Sequence, residues 1–274
     1  MAGELETDQR PVSPVGRVSQ SLLRRRWPEF FVEFILIIVG ILAALAIDGW
    51  MQDRQDRKSE VAYLELLRQD LIQIEETLQR FVDFETANLQ NSAATYNAIA
   101  AKNLPGDVSE LRKLIGGLST RRTLRIVSGA YTDLTSTGNL QLIRSQDLRE
   151  KMLRFFAESA RVELVIEKNN TAFIDGMFYR FLADEGITAI WSPSPEEIVS
   201  AADALALRAL GDEFEMPADT VLRRAPGDPG WDNIRRHVLL RTRVAAVGAV
   251  IGGERIEAAR ELRAEIEAEL QNPI

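Results

Sequence analysis

The stretch FFVEFILIIVGILAALAI, residues 30–47, decides the fold, because it is the one run in the chain that is long and apolar enough to cross a bilayer. A helix of about 18 residues extends about 27 Å, close to the thickness of the hydrocarbon core. Trp27 and Trp50 bracket the run, and aromatic side chains favour the membrane–water interface. The sequence therefore predicts one transmembrane helix over residues 30–50.

Three residues inside the span are candidate contacts for a second membrane helix: Glu33, Gly40 and Ala44. Gly40 and Ala44 form a small-xxx-small pair, which lets two helix backbones approach closely, although the pattern is also common by chance. Glu33 is a carboxylate within an apolar run, where it would meet a cation on the partner helix. Its alternative role is that of a charge close enough to the interface to reach headgroups or water.

A cleavable signal peptide is the rival to a permanent anchor. Residues 44–46 read Ala-Leu-Ala, which has the A-x-A form of a cleavage site after an apolar core. Against cleavage stand the long leader before the span, the embedded Glu33 and the helix-favouring sequence beyond Trp50. We therefore expect an anchor that is not cleaved.

Basic residues flanking the span predict its orientation, because Lys and Arg are enriched on the cytoplasmic side. Within 15 residues of the run, four basic residues precede it and three follow it: Arg17, Arg24, Arg25 and Arg26 before, and Arg54, Arg57 and Lys58 after. The tight cluster at 24–26 favours a cytoplasmic N-terminus, which places residues 51–274 in the periplasm. Residues 1–29 show no apolar period at their start and are predicted to be a disordered cytoplasmic tail.

Composition limits the classes of function. The chain has a net charge of −8 and contains no cysteine. An acidic protein is poorly suited to binding nucleic acid, and the lack of cysteine excludes disulfides, thiol catalysis and thiolate metal sites. Ala, Leu, Glu and Arg dominate, which favours helices, and residues 51–274 suffice for one domain with a core.

No helix-breaking residue occurs between the span and Pro105, so the first helix is predicted to run over residues 30–102. Its apolar residues recur in steps of three and four, as in a coiled coil: Leu64, Leu67, Leu71, Ile74, Leu78 and Phe81. The seam then meets Glu85 and Asn88. The apolar positions beyond them have a different phase: Leu89, Tyr96 and Ile99. This change predicts that the helix exchanges packing partners partway along.

Further helices are predicted over residues 108–118, 124–136, 145–182, 194–210 and 231–270, with a loop over 211–230. The third long helix carries a second seam: Leu148, Met152, Phe155, Ser159, Val162, Ile166, Asn169 and Phe173. The apolar segment Val244–Gly253 is too short to span a bilayer and is predicted to face the other helices. The fold class predicted is all-α, with the membrane helix continuing into an elongated antiparallel helical bundle.

Motifs for catalysis or metal binding are missing from the sequence. His237 is the only histidine, and no carboxylate lies four residues from it, so a two-ligand metal face is absent. The chain has no G-x-S-x-G, GxxxxGK[ST], G-x-G-x-x-G or EF-hand motif. We therefore predict a protein that is not an enzyme and that has no catalytic residue, cofactor or metal.

One segment, Gly129–Ile143, concentrates polar side chains near a helix corner: Tyr131, Thr135, Ser136, Asn139 and Gln141. Such a corner can hold a small polar ligand or a loop of a partner. The alternative is a capped turn between two helices, with Gly138 in the left-handed conformation past a helix end and Ser145 capping the next helix.

Residues 29–71 and 131–153 carry a resemblance. An E-F-x(n)-G-I-x-x-A-x-x-I-x-x-W anchor leads into a Y-L-x-x-L-x-x-D-L helix, and an S-x-G-N-L-x-L-I corner follows. The positions that fill these motifs are Glu33, Phe34, Gly40, Ala44, Trp50, Tyr63, Leu64, Leu67, Asp70, Leu71, Gly138, Asn139, Leu140 and Leu142. The chain thereby resembles an uncharacterised family of single-span bacterial membrane proteins. The resemblance implies an uncleaved anchor in the bacterial inner membrane and a helical domain, and it implies no activity.

Two functions from different classes fit these features. The first is a non-enzymatic, membrane-anchored helical module that contacts lipid and assembles with its own copies or with another membrane protein. The second is a sensory bundle that binds a small ligand between its helices and acts through a partner membrane protein. The two heptad-like seams favour the first.

Overall fold

The computed structural model describes residues 19–187, 208–209 and 220–271. Every regular element in these ranges is helical, which confirms the all-α class. The chain divides into two units, Met1–Ser59 and Glu60–Ile274. Two predicted segments lie largely outside the described residues, namely the start of the tail at 1–18 and the helix over 194–210.

The α-helices of the described ranges are α1 (Ser19–Ala100), α2 (Val108–Gly117), α3 (Gly129–Ser136), α4 (Gln146–Asn169), α5 (Arg180–Asp184) and α6 (Gly230–Gln271). They are joined by two 3₁₀ helices and a π-helix: Asn139–Leu142, Thr220–Arg223 and Asn170–Tyr179. Asp107, Ser128 and Ser145 cap α2, α3 and α4, each with a side-chain oxygen that accepts a backbone N–H. The predicted cap at Ser145 is confirmed.

Three boundaries differ from the prediction. α1 begins at Ser19, so residues 19–29 are helical rather than part of a disordered tail; several of them are good helix formers. The helix predicted over 124–136 begins only at Gly129, because Ser128 is extended and acts as its cap. The long helix predicted over 145–182 is divided, because its middle winds as the π-helix.

The π-helix also changes which residues are buried. Ser159, Val162 and Ile166 of α4 keep the predicted register. Beyond them Asn170 and Ile174 are buried, whereas the predicted Asn169 and Phe173 are only partly buried. The wider turn of a π-helix moves the buried face on by one residue.

The seam of α1 keeps one heptad register throughout. Its buried positions follow in steps of four and three: Glu60, Leu64, Leu67, Leu71, Ile74, Leu78, Phe81, Glu85, Asn88, Ser92, Thr95 and Ile99. The predicted change of phase is therefore wrong, and Leu89 and Tyr96 are only partly buried. The core positions after Phe81 are polar: Arg241 of α6 pairs with Glu85, and the side chains of Asn88, Ser92 and Thr95 donate to carbonyl groups of α1 itself.

Helix α6 provides a seam of the same kind: Trp231, Ile234, Val238, Arg241, Ala245, Gly248, Gly252, Ile256, Ala259, Leu262 and Ile266. Within Val244–Gly253 the small residues face the other helices, as predicted, but Val247 and Val250 are exposed. Charged pairs link α6 to the other long helices: Glu75–Arg263 and Glu85–Arg241 to α1, and Lys151–Glu265 and Glu158–Arg255 to α4. The order of the partners along α6 is the reverse of their order along α1 and along α4.

Two hydrophobic clusters form the core of the second unit. The first joins α1 up to Phe81 with α4 and with α6 from Ile256 onward. The second joins Ile99 with α2, α5 and the start of α6 up to Val238. Between them along α1 and α6 lies a set of buried polar residues, which we call the polar layer: Glu85, Asn88, Ser92, Thr95 and Arg241.

Candidate functional site

The predicted polar corner is fixed to α1 by hydrogen bonds. The hydroxyl of Ser128 donates to Asp70 Oδ2 at 2.7 Å, and the backbone N–H of Ala130 donates to the same oxygen at 3.1 Å. Ser128 Oγ also accepts the N–H of Tyr131 at 3.0 Å. Asp70 of α1 therefore helps to satisfy the N-terminus of α3, where backbone N–H groups lack partners within the helix.

The predicted corner residues do not converge on one point. Tyr131 packs into the first hydrophobic cluster, where its ring stacks on Phe156 at 3.9 Å between centroids. Burial raises the pKa of its phenol. The hydroxyls of Thr135 and Ser136 donate to carbonyl groups within their own helix, and both residues are exposed.

Asn139 and Gln141 lie on the 3₁₀ turn after the left-handed Gly138, whose φ is 75° as its predicted role requires. Asn139 is half-buried beside the Tyr63 hydroxyl, which donates to Asp133 Oδ2 at 2.5 Å and has its pKa raised chiefly by that bond. Gln141 is exposed. The ligand-binding role of this corner stays a prediction.

The membrane-helix candidates Glu33, Gly40 and Ala44 are all exposed. Apart from the neighbouring residues and the backbone of the same helix, no atom lies within 4 Å of the position that a Cβ on Gly40 would take. One helix in the described part of the chain is long and apolar enough to span a membrane, with a window of mean hydropathy 2.9 that is not buried in the protein. This N-terminal helix fits either a membrane anchor or a signal sequence.

His237 packs against other side chains of the helical domain. Its ring stacks on Phe181 at 3.9 Å, and its Nδ1 lies 2.9 Å from the carbonyl oxygen of Asn233 one turn earlier. Across the described ranges, no three His, Cys, Asp or Glu side chains come together in a way that could hold a metal ion.

The polar layer contains a buried ion pair that the sequence did not reveal. Arg241 Nη1 lies 3.1 Å from Glu85 Oε2, with 0% and 4% of the two side chains exposed. Arg241 also donates from Nε to the Leu118 carbonyl at 3.0 Å and from Nη2 to the Thr120 carbonyl at 3.4 Å. Burial raises the pKa of the Glu85 carboxyl and lowers the pKa of the Arg241 guanidinium, and the attraction between them opposes both shifts.

Two glycines let α6 approach α1 beside this pair. A Cβ on Gly248 would lie 3.0 Å from Glu85 Cγ, and one on Gly252 would lie 2.7 Å from Val82 Cγ2. Any side chain at Gly252 would therefore push the helices apart or displace Val82. The unbroken heptad spacing through Glu85 and Asn88 was the signal that could have identified the layer.

A groove between α1 and α2, of about 470 Å³, opens next to the polar layer. Its lining combines amides, opposite charges and apolar side chains: Phe84, Ala87, Asn88, Asn91, Glu110, Lys113, Leu114, Gly117, Leu118 and Thr120. We call it the α1–α2 groove. The carbonyl groups of Leu118 and Thr120 accept hydrogen bonds from Arg241, and both residues also line the groove. The groove therefore lies directly beside the buried ion pair.

Comparison of the chain with family models, with curated proteins and with solved structures finds no match. The fold itself defines the class: over the described residues this is an all-helical protein with one helix that is a candidate membrane span.

Proposed function

We propose that the protein is a non-enzymatic helical interaction module held in the bacterial inner membrane by an uncleaved anchor over residues 30–50, with its N-terminus in the cytoplasm. The observation that carries this proposal is the apolar window of mean hydropathy 2.9, which no other part of the described chain covers. Lipid or another membrane helix must cover it, because exposed apolar surface of this extent is unfavourable in water.

The domain after the anchor forms an elongated antiparallel bundle in this proposal. The reversed order of charged partners along α6 relative to α1 and α4 supports it, as do the heptad-like seams of α1 and α6. The partner is a second copy of the chain or another membrane protein. Nucleic acid is a poor partner for a protein of net charge −8.

Two measurements test the proposal. Mass spectrometry of the protein extracted from membranes should find residues 30–50 retained. A mature chain that begins near Ile47 and fractionates with soluble proteins would overturn the anchor. The mass of the protein in detergent should then exceed that of one chain, or co-purification should recover a membrane partner; a strict monomer without a partner would overturn the interaction role.

As a second candidate, we propose a sensory function in which a small ligand binds between helices and the effect passes to a partner membrane protein. The observation that favours it is the α1–α2 groove, whose volume lies in the range of small-molecule sites. A thermal-shift screen of small polar compounds tests it, because a ligand that binds the folded state raises the melting temperature.

A further inference from the structure

A second groove, of about 400 Å³, runs between α4 and α6. Its lining combines charged side chains with three apolar ones that are buried or half-buried: Lys151, Arg154, Phe155, Glu158, Arg255, Ala258, Glu261, Leu262 and Glu265. We call it the α4–α6 groove. Its cations and carboxylates are equal in number, so the surface carries both signs of charge and no net charge.

The charges toward the two ends of this groove attract each other across it. Lys151 Nζ of α4 lies 2.8 Å from Glu265 Oε1 of α6. Further along the groove, Glu158 of α4 is attracted to Arg255 of α6. The cation is thus on α4 at one end and on α6 at the other. These charges are compensated within one chain and hold α4 against α6.

The middle of the groove carries two charges without such compensation. Arg154 lies about one turn from Lys151 on α4, and Glu261 lies about one turn from Glu265 on α6. Arg154 and Glu261 therefore occupy the same level on opposite rims. Both are exposed, and neither forms a hydrogen bond or an ion pair with a described residue. One chain thus presents a cation on its α4 rim and a carboxylate on its α6 rim.

A second copy of the chain supplies the matching charges. A rotation of 180° about an axis along the groove places the α6 rim of the copy opposite the α4 rim of the first chain, at the same level. Arg154 of each copy then meets Glu261 of the other, and the charges toward the ends also face opposite signs. Such a contact is self-complementary and closes as a dimer. We propose that two copies of the chain associate side by side through the α4–α6 groove.

The charges also select the relative direction of the two copies. An axis along the groove makes the copies parallel. An axis across its middle would make them antiparallel and would set Arg154 against Arg154, where like charges repel. Parallel copies are also what two chains need if their N-terminal anchors lie in one membrane. The inference rests on the proposed interaction function and names the surface that this function uses.

Charge reversal in the full chain in detergent tests this surface, with sedimentation equilibrium as the measurement. Arg154→Glu and Glu261→Arg should each raise the Kd of the dimer about tenfold or more, because each sets like charges against each other at two symmetric places. An equimolar mixture of the two variants should regain the wild-type Kd, since one then presents only carboxylates and the other only cations in the middle of the groove. A misfolded variant could not be rescued in this way.

Arg243→Glu is the matched control. Arg243 is an exposed arginine of α6 that lies outside the groove lining and pairs with no described residue, so its variant should keep the wild-type Kd. An unchanged Kd in both groove variants, or a mixture that does not recover, would overturn the proposal. An equal loss of affinity in Arg243→Glu would also overturn it, because the effect would then not belong to the groove.

The outcomes separate this proposal from the interaction function beneath it. If the wild type exceeds the mass of one chain and neither reversal changes that mass, the α4–α6 groove is not the interface and the interaction function stands. The same holds if the wild type is a monomer that co-purifies with another membrane protein. A monomer without any partner would overturn both.

Discussion

Arg241 and Glu85 place two opposite charges where neither reaches water. Such a pair adds little net stability compared with well-packed apolar residues, because the desolvation of both charges offsets their attraction. Removing one partner is different, since it leaves the other charge buried without compensation. The pair and its two backbone acceptors fix how α6 meets α1 and the segment after α2.

Arg241→Met should therefore lower the free energy of unfolding by about 3–5 kcal/mol, because it strands the Glu85 carboxylate in the core. The double variant Glu85→Leu/Arg241→Met should recover most of this loss. Chemical denaturation measures both. Arg263→Met is the matched control at a partly exposed pair with Glu75, where we expect a loss of about 1 kcal/mol or less. Equal losses in the two single variants would contradict this account.

The pH dependence of the free energy of unfolding should reveal the direction in which the pKa of Glu85 is shifted. Burial raises the pKa of this carboxyl above its ordinary value of 4.5, so the folded state holds its proton to higher pH than the unfolded state does. Between the two pKa values the folded state binds more protons, and stability falls as pH rises. The free energy of unfolding of wild type, minus that of Glu85→Gln, should decrease as pH is raised from about 4.5. A difference that grows with pH would refute the assigned direction.

The two adjacent glycines of α6 should respond with opposite signs to alanine. A Cβ at Gly252 would clash with Val82, so Gly252→Ala should destabilise the protein by about 1–3 kcal/mol. At Gly253 nothing lies within 4 Å, so Gly253→Ala should stabilise α6 by about 0.5–1 kcal/mol through higher helix propensity. Thermal melts of the two variants measure the difference. Loss of stability in both would mean that the close approach of Val82 to Gly252 does not explain the effect of alanine there.

Residue patterns predicted the apolar part of the seam well. Leu64, Leu67 and Leu71 are fully buried, because a 3-4 spacing of leucines leaves few other arrangements. The continuation through Glu85 and Asn88 was missed, since polarity alone was taken to end the seam. Arg241, the partner of Glu85, lies 156 residues further along the chain, and no local sequence pattern predicts a pairing at that separation.

At the scale of elements, the residues that cap or end helices were predictable from sequence, whereas the π-helical winding after α4 was not. Asp107 and Gly138 follow local rules, and their helices end or begin where those rules require. The π-helix over Asn170–Tyr179 has no comparable local signal, because its i→i+5 bonding depends on tertiary packing. The α1–α2 groove was likewise beyond local patterns, since Asn88 and Glu110 come from separate helices.

The anchor helix offers a test with an internal control. If the proposed oligomer forms through the small residues of the span, Gly40→Leu should shift the mass in detergent toward one chain, because the bulk prevents close approach. Gly49→Leu is the matched control, about two and a half turns away and so on the opposite face of the helix. Both glycines are exposed, and a Cβ added at either would meet no atom within 4 Å outside the neighbouring residues and the backbone of its own helix. Identical masses for both variants would argue against this face.

At the scale of the whole molecule, two apolar clusters share the helices α1 and α6 across the polar layer. Because both helices run through both clusters, neither cluster can lose its structure without affecting the other. We therefore expect the second unit to unfold in one cooperative transition.

Leu71→Ala in the first cluster and Ile115→Ala in the second should each cost about 2–5 kcal/mol, since both side chains are fully buried. The double variant should show the sum within about 0.5 kcal/mol, because the two residues belong to different clusters and share no partner. Equilibrium denaturation followed by circular dichroism measures all three. Two separate transitions, each moved by only one variant, would contradict a single cooperative unit.

The π-helix has a consequence for length variation. A π-helix contains more residues per turn than an α-helix. An extra residue can therefore be accommodated within the π-helix without changing the register of the helices before and after it. A homologue with a deletion here would rewind Asn170–Tyr179 as ordinary α-helix and keep Ile166 and Leu182 in the core. Alignment gaps in such relatives are therefore expected inside this stretch and not in the seams that flank it.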